Sequence, residues 1–155
     1  MKLSGIACHF PTWRQFAAYS AISMAIGLLI VLLLGVGRPD MYTLPAFVTG
    51  AVLGFFINAG ATLAEGLLFA ALGIDERWRG GARRSLSLLS YFVGGAAGYI
   101  VGGWVAALLA RRTRPDQPPW AYSFGSEGGL ASSVLVFGLL ALVIGLVFNV
   151  VAYLR

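Results

Sequence analysis

The sequence predicts an all-α integral membrane protein, a four-helix bundle with short loops and both termini in the cytoplasm. Three observations carry that expectation. Of 155 residues, 59% are apolar and only 11% charged, where a soluble globular domain carries about 25% charged residues. Four apolar runs, at residues 16–36, 45–73, 86–109 and 131–153, each reach the roughly 20 residues that a helix needs to cross about 30 Å of hydrocarbon. Together they nearly exhaust the chain, and the remaining segments cannot hold a soluble domain of even about 50 residues. A single transmembrane domain over 1–155 is expected, with any catalytic or nucleic-acid-binding module lying beyond Arg155 or on a partner.

The first run follows the segment MKLSGIACHFPTWRQF. It is too long for the apolar region of a signal peptide and has no A-x-A-like cleavage site, so it is read as a retained first span with Trp13 anchoring its interface end. The loop GVGRPDMYTLP then supplies Gly37 and Pro39 as helix-ending residues and Tyr42 at headgroup depth. Orientation follows from the cations at the span ends. Lys2, Arg14, Arg77, Arg79, Arg83, Arg84 and Arg155 fall on one side, against Arg38, Arg111, Arg112 and Arg114 on the other. The richer side is placed in the cytoplasm, although the cluster at 111–114 pulls the other way. The net charge of +5 thus belongs to span ends that meet anionic headgroups, and nucleic acid is not an expected partner.

The second run holds the most unusual stretch, FFINAGATLAEGLLF at 55–69. Asn58, Thr62 and Glu65 are spaced by four and three, so they share one helix face with Gly54. A carboxylate inside a span faces the bundle interior or a cavity, pairs with a partner and marks a functional site by default. With the cytoplasmic end of the helix near Ala71, Glu65 lies about six residues in, or roughly 9 Å. Arg77 or Arg79 could reach toward it from the loop GIDERWRGGARRS, whose Trp78 is read as an interface anchor. Three roles remain open for Glu65: a structural hydrogen bond or ion pair, a signal-coupling position, or a proton- or cation-handling site.

The third run carries Ser90, Gly94, Gly98, Gly102 and Ala106 at every fourth residue. Such a stripe lets helix backbones approach closely in lipid, where association depends on packing more than on a hydrophobic drive. It serves either packing within the bundle or a homodimer seam. Shorter stripes recur at Ser20, Ser23 and Gly27, at Gly50 and Gly54, and at Gly138, Ala141 and Gly145. The loop RRTRPDQPPWAYSFGSEGG is expected along the membrane interface through Trp120 and Tyr122, and Asn149 in the fourth run is a candidate partner for the polar cluster.

Several chemistries are excluded by the residues. Cys8 is the only cysteine and His9 the only histidine, with no further ligand beside them, so neither a disulfide nor a metal site is expected. No phosphate loop, nucleophile elbow or zinc-protease helix is present, and no cofactor or enzymatic activity is expected.

The third span ending GGAAGYIVGGWVAALLARR, the Pro-containing loop after it and the last span running into LVFNVVAYLR together resemble the membrane-spanning half of bacterial sensor histidine kinases that pair with LytTR-type response regulators. The resemblance covers nearly the whole chain. It implies a bacterial inner-membrane sensing and dimerisation module whose last helix leads into a cytoplasmic kinase. The phosphoacceptor histidine motif and the ATP-binding region are absent from these 155 residues. Two other classes stay open: an accessory subunit of a larger membrane complex, and a small proton-coupled transporter or channel using Glu65.

Overall fold

The computed structural model describes residues 10–36, 42–74 and 81–111, with Gly138, Leu139 and Val143. Among them are three α-helices: α1 (Trp13–Leu34), α2 (Leu44–Leu72) and α3 (Gly81–Arg111). Each contains a stretch long and apolar enough to cross a membrane, at Trp13–Leu33, Leu44–Leu72 and Arg83–Leu109.

Local chemistry sets the helix ends. Thr12 caps α1 through a reciprocal box: its hydroxyl accepts from the Gln15 amide, and the Gln15 side chain accepts from the Thr12 amide at 2.9 Å. The far end closes where the Gly35 amide donates to Val31 O at 2.9 Å. There the Tyr42 ring lies against Gly35, and the Tyr42 hydroxyl donates to Leu32 O at 3.1 Å. Pro45 sits in the first turn of α2, where its missing amide proton has no helical acceptor to lose. Gly73 ends α2 in the left-handed conformation, φ 62°, which a side chain would strain. At 29 residues α2 is about 43 Å long, and at 31 residues α3 is about 46 Å. Both exceed a hydrocarbon core of about 30 Å, so they tilt or project from it.

Helix α2 lies between the other two. Against α1 and the residues that lead into it, Phe10 meets Gly66, Ser20 meets Asn58, Ser23 meets Gly54, and Gly27 meets Gly50. Against α3, Glu65 meets Ser87, Gly60 meets Gly94, Phe56 meets Gly98, and Leu53 meets Gly102. In both series one number falls as the other rises, so neighbouring helices are antiparallel. The approach is close because side chains are missing where backbones cross. A Cβ on Gly50 would lie 2.7 Å from Gly27 O, and one on Gly94 would lie 2.8 Å from the Cα of Ala61, separations that real Cβ atoms do not adopt. Leu33, Leu63, Leu67, Val93, Trp104 and Leu108 point outward, as suits helices whose outer surface contacts lipid tails.

The four-helix bundle expected from the sequence is corrected to three helices among the described residues. The expectation rested on counting apolar runs of spanning length, and length alone does not place a helix in a packed unit. What joins these three is matched small-residue faces on both sides of α2. The expected run at 131–153 lies outside the described residues apart from Gly138, Leu139 and Val143; of these, Gly138 is buried beside the Phe92 ring.

Candidate functional site: a polar latch in the helix seam

The face of α2 that carries Asn58, Thr62 and Glu65 is flanked by buried Gly54, Ala61, Gly66 and Phe69. Its polar groups are distributed between two neighbours. Asn58 Nδ2 donates to Ser20 Oγ on α1 at 3.0 Å. Glu65, half-buried one level nearer the C-terminal end of α2, turns to α3: Ser87 Oγ donates to its Oε1, and the Tyr91 phenol hydrogen-bonds the same carboxylate. Thr62 is half-buried between the two.

Among the described residues, one positive charge bears on the carboxylate. Arg83, one turn before Ser87, interacts electrostatically with Glu65, while its guanidinium lies over the Phe69 ring, 5.6 Å from the centroid. Phe69 is itself one turn beyond Glu65 on α2, so arginine, ring and carboxylate share the same end of the α2–α3 seam. Tyr19 on α1 lies close enough to interact electrostatically with Tyr91. Glu65 is the only acidic side chain among the described residues.

The small-residue stripe of α3 faces α2. Gly94 and Gly98 lie on the backbone of Gly60, and Gly98 also meets Phe56 and Ile57; Gly102 is seated against Phe56 and Leu53, and Ala106 is buried. Ser90 belongs to the same buried row but bonds within its own helix, donating to Ser87 O at 2.7 Å. That bond satisfies a hydroxyl that close packing would otherwise leave without a partner. Trp13 opens α1 and is 79% exposed, in keeping with an outward aromatic at a helix end. Trp78, Trp120, Tyr122 and Asn149 lie outside the described residues, as do Arg77 and Arg79.

Sequence reasoning missed the partners. Arg83, Ser87 and Tyr91 recur at every fourth residue, a polar row that runs beside the glycine stripe at the α3 N-terminal end. That periodicity could have found them. Ser20, read as a small packing residue, is buried and is also the acceptor for Asn58.

No known family, curated protein or solved structure matches this chain.

Proposed function

We propose that the chain is a non-catalytic transmembrane module that senses a signal in the bacterial inner membrane and passes it on through the relative position of its helices. The observation that supports this reading is the Glu65 latch: a carboxylate held by Ser87 and Tyr91 of the next helix, beneath a glycine seam that admits little slack. A buried polar group whose partners lie on another element fixes one arrangement and disfavours others. A small displacement of α3 therefore changes the carboxylate's partners, and occupancy of the latch reports helix position. The resemblance to the membrane half of sensor histidine kinases agrees with such a role, and the signal's output belongs to a kinase domain or partner subunit.

Assembly with a second copy or with a larger membrane complex is part of the same reading. The face bearing Gly94, Gly98 and Gly102 is occupied by α2, so a partner docks elsewhere on the lipid-exposed surface. The test is to isolate the native polypeptide with its partners in mild detergent, and then to compare wild type with Glu65→Gln and Gly98→Leu in the source membrane. Altered output from the associated kinase, with insertion intact in both variants, is the expected result. Normal output from both rejects the reading.

A further inference from the structure

Resting on that helix-coupling reading, we propose that the signal Glu65 answers to is the proton: the ionised carboxylate closes the α2–α3 seam, and uptake of one proton opens it. The geometry supplies each part. The closed form has two hydroxyl donors, Ser87 and Tyr91, converging on one carboxylate, with Arg83 providing the nearby positive charge. Hydrogen bonds to an ionised acceptor are roughly twice as strong as neutral ones. When a proton from water settles on a Glu65 oxygen, both bonds become neutral, and the carboxyl brings an O–H that needs an acceptor of its own.

Arg83 is affected at the same moment. Its one acidic neighbour among the described residues loses its charge, while the Phe69 ring stays beneath the guanidinium. From α3 the groups facing Glu65 are Arg83, Ser87 and Tyr91; α1 carries two titratable side chains, Arg14 and Tyr19, both exposed, of which Tyr19 acts on Tyr91; α2 carries no second titratable side chain. A proton can enter because Glu65 is only half-buried and stands eight residues from Gly73, about 12 Å along the helix.

The experiment uses the full chain in lipid nanodiscs, with Cys8→Ser removing the native thiol. Spin labels at Leu67→Cys on α2 and Leu89→Cys on α3, both outward-facing positions, report the interhelical distance by pulsed electron resonance across about pH 5 to 9. Wild type is expected to convert from a short to a longer distance as pH falls, with most of the change inside about two pH units, as one proton requires. Glu65→Gln should show the longer distance at every pH. Tyr91→Phe, which keeps the carboxylate and removes one donor, should displace the midpoint without abolishing the transition.

A wild-type distance that ignores pH while Glu65→Gln still lengthens it overturns the proton step and leaves helix coupling standing. A Glu65→Gln distance equal to wild type at every pH overturns both. A transition that survives in Glu65→Gln, or a midpoint untouched in Tyr91→Phe, assigns the proton to another group and also overturns the proposal.

Discussion

Replacing Gly98 by alanine adds one methyl group at the tightest part of the α2–α3 seam. The new Cβ would fall 2.7 Å from the Phe56 carbonyl carbon and 2.9 Å from the Cα of Ile57. Ordinary carbon contacts lie at about 3.5–4.0 Å, so the backbones must part by about 1 Å. A gap of that size forfeits up to about half of each dispersion contact along the row, including those of Gly60 and Gly94. Overpacking of this kind costs about 1–3 kcal/mol, and here the neighbours are backbone atoms that cannot rotate away, so the upper end applies. Alanine returns up to about 1 kcal/mol in helix propensity, leaving a net loss of about 2 kcal/mol. That is a factor of about 30 in the folding equilibrium.

Gly103 provides the control, since a Cβ there meets nothing within 4 Å. Gly103→Ala on the same helix should be neutral or stabilising by up to about 1 kcal/mol. Equilibrium unfolding in mixed micelles titrated with SDS, followed by tryptophan fluorescence, measures both. Equal effects from the two substitutions would refute the claim that the seam is held by backbone contact.

Three further outcomes follow from the same geometry. Gly73→Ala should cost about 1 kcal/mol through backbone strain alone, because φ is 62° and the space around it is open; Gly73→Asn, which tolerates that conformation better, should recover part of the loss in the same assay. Tyr42→Phe removes the bond to Leu32 O and should lower stability by about 0.5–1.5 kcal/mol, with faster amide exchange at the C-terminal end of α1 by mass spectrometry. A double-mutant cycle of Ser20→Ala and Asn58→Ala should give a coupling energy of about 0.6 kcal/mol, the average for interhelical hydrogen bonds in lipid; zero coupling would mean that the pair is not formed in the membrane.

What the sequence made legible was local. Apolar length located α1, α2 and α3 to within a few residues at most of their ends, because crossing hydrocarbon fixes a minimum length and loop residues mark the rest. The largest difference is at the start of α3, where Gly81 and the arginines after it continue the helix beyond the apolar run. The every-fourth-residue stripe of α3 was visible for the same reason, since one helix turn is enough to define it. Pairing was not legible. Gly60 is the glycine of α2 on which Gly94 and Gly98 rest, yet nothing around position 60 distinguishes it from its neighbours until a second helix is laid against it. Serine was ambiguous too: Ser23 lets backbones approach, Ser90 bonds back to its own helix, and Ser20 and Ser87 reach across. Tyr99, next to Gly98 in sequence, is 2% exposed, and nothing in its sequence setting distinguishes a buried ring from one that faces lipid.

The Tyr42 clasp bears on the order in which the protein is made. The contacts that close α1 on α2, from Phe10 with Gly66 through Ser20 with Asn58 to Tyr42 with Leu32, are complete once residue 74 has been synthesised. A nascent chain can thus enter the bilayer with α1 already closed on α2 as a hairpin, the backbone of each helix bonded within itself. Glu65 is the exception, because Ser87 and Tyr91 emerge from the ribosome more than twenty residues after it. Until they arrive, the hairpin carries one carboxylate without its hydroxyl partners, and that gives α3 a reason to dock in a single register.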